Sequence, residues 1–153
     1  MSEEFASLED VHRAVAEHIG VKLFTVLGFA DQGRTMCRIY STHPVAYPVG
    51  GTKDTSQDVA AEWLALAIEE QKPYFGQGPA EVERIFKDAE VIRSLGCGTI
   101  INAPVVKDGV TIGALNILDA EGAYDQESVG DAVDIAGRSA GAVSTALRRT
   151  LNH

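Results

Sequence analysis

Two cysteines and one tryptophan are all that this chain of 153 residues holds of either type. Cys37 and Cys97 lie far apart in sequence. They form neither a close-spaced metal motif nor a disulfide framework, so reduced thiols in a cytoplasmic protein are expected. Basic charge is also scarce, with 13 Lys and Arg against 22 Asp and Glu and a formal net charge of −9. A free-standing nucleic-acid binder needs a basic footprint, and none is visible. The short basic cluster Arg148-Arg149 sits near the end of a predicted helix, where the dipole favours positive charge. No apolar run is long enough to span a bilayer, so no membrane partner is expected. The opening MSEEFASLED is acidic and lacks the basic start and apolar stretch of a secretory signal. Gly50-Gly51 is not followed by the lysine and serine of a phosphate-cradling loop, and no second ligand stands at metal spacing from His43. No cofactor or metal is expected.

What the chain does have is enough apolar residue, 45%, to close one sizeable core. It shows no internal repeat, linker or low-complexity segment, so residues 1–153 read as a single domain. The richest stretch is NAPVVKDGVTIGALNILD, Asn102 to Asp119. Asp108-Gly109 accepts positive φ at little steric cost and marks a hairpin between strands Thr99–Val106 and Val110–Leu118. The second strand is apolar on both alternating faces, Val110, Ile112 and Ala114 on one and Leu115 and Ile117 on the other. Both faces of its sheet are therefore covered. Gly113 fits a close backbone approach.

Upstream, Ser7 caps a first helix whose stripe is Leu8, Val11, Val15 and Ile19, and Gly20 ends it. Leu23–Phe29 and Thr35–Ser41 are strands joined through Asp31-Gln32-Gly33. In the second of them Met36, Arg38 and Tyr40 share one face, and Cys37 and Ile39 the other. THPVAYPVGGTKDTS is then a long irregular segment of the kind that carries function. Thr55 caps a helix through about Glu70 with Val59, Trp63, Leu64, Ala67 and Ile68 inward. Pro73-Tyr74-Phe75 is a short edge strand, and Pro79 opens a helix reaching about Ser94. Asp125 caps one final helix with Val129, Val133, Ala136, Ala140, Val143 and Leu147 on its apolar face. Hairpins at either end with helices between and around them give an α+β domain.

The run PVVKDGVTIGALNILD, then Tyr124-Asp125 and a long alanine-rich helix, resembles the C-terminal half of a GAF domain. The resemblance implies an antiparallel sheet with terminal helices on one face. On the other face it implies a ligand pocket covered by loops and helices, here the Ser41–Phe75 segment. It also implies a sensor or regulatory role for a free-standing domain that binds a small, anionic or amphiphilic metabolite and signals to a separate effector protein. A homodimer built on the terminal helices is expected, with Ala132, Ala136, Ser139, Ala140 and Gly141 permitting close approach.

The candidate ligand-binding residues are Arg38, Tyr40, His43, Tyr47, Trp63, Tyr74, Phe75, Thr99, Asn102 and Asn116, with Lys53 nearby. Arg38 stands in an otherwise apolar strand, and its planar fork suits a carboxylate. An exposed edge or an internal acidic partner would equally explain it. His43 titrates near neutrality and is a candidate base or hydrogen-bond partner, although a lone loop histidine is more often a surface residue. Asn102 and Asn116 are poorly suited to strand interiors, and a buried amide must be satisfied by ligand or by backbone. Cys97, between Gly96 and Gly98, is a candidate reactive thiol. The alternative function is accordingly a small enzyme on the same scaffold. It would use His, Tyr and Arg acid–base chemistry, or cysteine chemistry like that of the GAF enzymes that reduce free methionine sulfoxide. Those enzymes carry an extended cysteine-containing segment that this sequence lacks.

Overall fold

The computed structural model describes residues 4–30, 33–50, 52–54, 65–85 and 89–151. Among the described residues six strands form one antiparallel sheet: β1 Leu23–Ala30, β2 Thr35–Ser41, β3 Thr52–Asp54, β4 Tyr74–Gly76, β5 Thr99–Lys107 and β6 Val110–Asp119. Their order across the sheet is β3-β2-β1-β6-β5-β4. The described helices are α1 Leu8–His18, α2 Pro79–Ile85, α3 Ala89–Ser94, α4 Gln126–Gly137 and α5 Ala140–Leu151, with a π-helical turn over Ala65–Glu70.

Local chemistry sets most of these boundaries. The Ser7 hydroxyl accepts from the Asp10 N–H at 3.2 Å, capping α1. Gly20, at φ +92°, closes it by donating to the Val15 carbonyl. Asp125 and Ser128 form a reciprocal capping box at the start of α4, and these contacts hold the Asp125 carboxyl below its ordinary value. Asp108 and Gly109 both have positive φ, +52° and +80°, as a type I′ hairpin turn requires. The Thr52–Asp54 part of the segment expected to be irregular instead adds β3 to the edge of β2, and Lys53 lies in that strand. Residues 55–64, including Trp63, and residues 86–88 lie outside the described residues.

Two apolar clusters sandwich the sheet. The first joins Val11 and Val15 of α1, Ile135 and Ala136 of α4 and Val143 of α5 to Phe24, Val26, Cys37, Ile101, Leu115 and Ile117. The second lies on the opposite face. It joins Leu23, Leu27, Phe29, Met36, Ile100, Ala114 and Leu118 to Tyr47, Tyr74, Val82, Ile92 and Cys97. Strand β6 is therefore covered on both sides, as its composition demands.

Two β-bulges overturn the simple alternation read from the sequence. In β2, Leu27 pairs with Arg38 while its neighbour Val26 pairs with Tyr40, so Ile39 is the extra residue. Tyr40 consequently parts from Arg38 and Met36 and packs on the first cluster. In β6, Ile112 is the extra residue and joins the first cluster, whereas Ala114 belongs to the second.

The C-terminal helix is also not continuous. It breaks at Arg138 and Ser139, where the buried Ser139 hydroxyl donates to the Ile135 carbonyl at 2.7 Å. Within α4, Val133 is exposed while Ala132, Ile135 and Ala136 are buried. Ala132, Ala136 and Ser139, expected to face a second subunit, are buried within their own.

Candidate functional site: a polar ladder on the second face

Thr25, Asn116, Asn102 and Tyr74 are successive register partners on β1, β6, β5 and β4. Each of the first three is flanked along its strand by residues of the first cluster, so all three point to the second face. There the Asn102 Nδ2 donates to Asn116 Oδ1, and Asn116 Nδ2 donates to Thr25 Oγ1 at 3.2 Å. The result is a line of polar groups across three strands, with Leu23, Leu27, Ile100, Ala114 and Leu118 of the second cluster on the neighbouring inward positions.

The Ile112 bulge creates this line. Lys107 pairs with Val110 and Val106 with Thr111 beside the turn, and the register slips by one beyond them. Without the slip Asn102 would oppose Leu115, and the two amides would lie on opposite faces.

The line ends unsatisfied. Asn102 is fully buried at 0% exposure, and its Oδ1 has no hydrogen-bond partner among the described residues. A buried acceptor left in this state costs about 1–3 kcal/mol.

The loop after β2 rests on the same face. Tyr47 is buried in the second cluster, and its N–H donates to the His43 carbonyl at 2.8 Å. The Arg38 guanidinium lies over the Tyr47 ring, 5.0 Å from its centroid, and donates to the Pro48 carbonyl at 3.3 Å. The His43 Nδ1 lies 2.9 Å from the Thr42 hydroxyl, which accepts from the Phe24 N–H. His43 is thereby tied to the end of β2.

On the other side of the loop, the π-helical turn packs on β5 and β6. The buried Thr111 hydroxyl donates to the Ala67 carbonyl at 2.8 Å, and Gln71 donates to the Gly109 carbonyl. Helix α2 packs on β4 and β5. Among the described residues, the second face carries the loop after β2, the π-helical turn and the short helix α2, whereas the first carries α1, α4 and α5.

Not every sequence candidate belongs to this face. Phe75 alternates away from Tyr74 and packs on the first cluster. Tyr40 does the same, with its ring 5.7 Å from Phe24 and its hydroxyl 3.1 Å from His12 Nδ1. His12 stacks on Phe24, and burial lowers its pKa below the ordinary value. The Thr99 hydroxyl donates to the Gly76 carbonyl at 2.7 Å and pins the edge strand β4.

The glycines beside Cys97 do not expose its thiol, which is buried at 5% exposure. Gly96 supplies a positive φ of +83°, and Gly98 allows the backbone of Glu121 to approach. Burial and then the Asp119 carboxylate push the Cys97 thiol up to about 11, with Lys22 opposing them, so it is protonated at neutral pH. Among the described residues no cluster of His, Cys, Asp and Glu forms a metal site.

No protein-family model matches the sequence, and neither does any curated protein. Solved structures do match. The GAF domain/HD domain protein of Geobacter sulfurreducens superposes with a TM-score of 0.72 at 13% identity, over 92% of each chain. The GAF domain of a two-component sensor histidine kinase from Bacillus halodurans gives 0.71 at 12% identity, over 93% of this chain and 94% of that one. The fold is that of a GAF domain. A third neighbour, the GAF domain of a phosphoenolpyruvate-protein phosphotransferase from Coxiella burnetii, gives 0.68 at 16% identity, over 96% and 88%. Identities this low carry the GAF architecture and leave ligand and activity to the residues of the site.

Proposed function

We propose that this GAF-fold protein is a small-molecule sensor whose ligand, an anionic or amphiphilic metabolite, sits on the second face between the sheet and the Ser41–Phe75 segment. The observation that supports this most is the buried ladder ending at Asn102 Oδ1, an acceptor without a partner among the described residues. Tyr47 and Tyr74 contribute apolar walls beside it, and Arg38 and His43 lie at the loop end. Several structural neighbours are domains of sensor proteins, including the histidine kinase of Bacillus halodurans. Signal output passes to a separate effector, and two copies associate through the terminal helices, where Val133 and Leu151 remain exposed. The cysteine branch of the enzymatic alternative is less well supported, because Cys97 is a buried, protonated thiol.

Native mass spectrometry of freshly purified protein tests the reading. The expected spectrum is a dimer carrying a non-covalent small molecule released on activation. Apo protein, from several expression hosts and at every charge state, would count against a resident ligand. Turnover of a released compound that is lost on changing His43 would favour the enzyme.

A further inference from the structure

The ladder restricts the ligand's chemistry further, on the footing that the second face is the pocket. We propose that the buried end of the ligand is uncharged and donates one hydrogen bond, from a hydroxyl or a ring N–H, to Asn102 Oδ1, with an apolar body lying over Ile100, Ala114 and Leu118.

The argument starts from the amide's orientation. Asn102 directs its Nδ2 to Asn116 Oδ1, and Asn116 in turn uses its Nδ2 on Thr25. Turning Asn102 alone would set its oxygen against the Asn116 oxygen, two acceptors in contact. The chain of bonds therefore holds Asn102 Oδ1 as the open end, and successive bonds in one direction polarise each other and strengthen that acceptor. A ligand carboxylate or phosphate oxygen there would meet the oxygen of a buried amide, with Leu23, Leu27, Ile100, Ala114 and Leu118 around the ladder. A buried anion in such surroundings is strongly disfavoured.

Arg38 does not change this. Its strand is three positions from β5 across the sheet, about 14 Å at ordinary strand spacing, and its guanidinium is turned to Tyr47 and Pro48. A ligand that meets Arg38 as well must be elongated and amphiphilic, with its charged end at the loop and its neutral end at Asn102.

Matched probes test the proposal on the full chain. Indole offers a ring N–H on an apolar body, 1-methylindole removes only that donor, and benzoate supplies an anion. Binding is read from the side-chain amide resonances of Asn102 and Asn116 and the methyl resonances of Ile100, Ala114 and Leu118. Indole is expected to shift these signals, with 1-methylindole about fivefold or more weaker, the worth of one neutral hydrogen bond. In an Asn102→Leu variant the ratio should fall to about one, because the acceptor is gone. Equal affinity for indole and 1-methylindole in the wild type overturns the donor assignment. So does a preference for 1-methylindole or benzoate, which would mean that both amides are reversed with the Thr25 hydroxyl donating, or that charge is accepted. Each of those results leaves the pocket itself standing. If all three probes leave these resonances unmoved, the pocket reading fails and the ligand assignment fails with it.

Discussion

A Gly113→Ala protein is expected to lose about 3 kcal/mol or more of stability. A Cβ at that position would lie 2.5 Å from the Leu27 carbonyl oxygen and 2.9 Å from Val143 Cγ1. The first of these is backbone of the neighbouring strand, which cannot turn aside without breaking the β1–β6 ladder. The second is the helix α5 that covers the first face. Gly28, directly opposite in the register, provides the comparison. Its added Cβ would meet Leu147 Cδ1 at 2.6 Å, the far end of a flexible side chain that can change rotamer. Gly28→Ala should therefore cost about 1–2 kcal/mol. Urea denaturation reads both, with an unchanged m-value showing that stability alone has moved. Equal costs at the two glycines would mean that the Leu27 carbonyl does not lie as close to Gly113 as described.

The second large effect is expected at the centre of the polar ladder. Asn116→Ala removes both side-chain bonds at once and leaves the Asn102 amide N–H without its acceptor and the Thr25 hydroxyl without its donor. A loss of about 2–4 kcal/mol follows. Asn102→Leu removes the end of the line, including an acceptor that had no partner to lose. It should cost less, within about 1.5 kcal/mol of wild type, because only Asn116 Oδ1 loses a partner and an apolar side chain replaces a partly unsatisfied polar one. Thermal or urea unfolding of the two variants side by side is decisive. If Asn102→Leu proves the more damaging, Asn102 is a structural member of the core and its open oxygen is no sign of a ligand.

The two positions also show what could be read from the sequence and what could not. Each asparagine is conspicuous in a strand of apolar residues, and the Asp108-Gly109 turn fixes where the hairpin begins. Their pairing was hidden because it depends on the single extra residue Ile112, which no pattern of hydrophobicity marks. The same holds for Tyr40, moved to the helix side by the extra residue Ile39. End signals were legible where a side chain itself makes the cap, at Ser7, Gly20 and Asp125. They were not legible at Ser139, where the apolar spacing runs on through the break and only the turn of the backbone ends α4. The glycines beside Cys97 do not mark open space around the thiol. Gly98 instead allows the Glu121 backbone to lie close, and the thiol is buried. The hairpin and the capped helices rest on local chemistry and pointed to an α+β domain, and the resemblance carried by PVVKDGVTIGALNILD and the helix after it implied the GAF arrangement.

The claim that a small molecule occupies the second face is tested most directly by a crystal structure of the protein purified without a denaturing step. The account predicts density for a non-protein molecule on the Ile100–Asn102–Ala114 surface, beneath Tyr47 and the π-helical turn, with one of its atoms within about 3.2 Å of Asn102 Oδ1. A structure in which this face holds no non-protein molecule and Asn102 Oδ1 still lacks a partner, or a bound molecule on another surface, would contradict it.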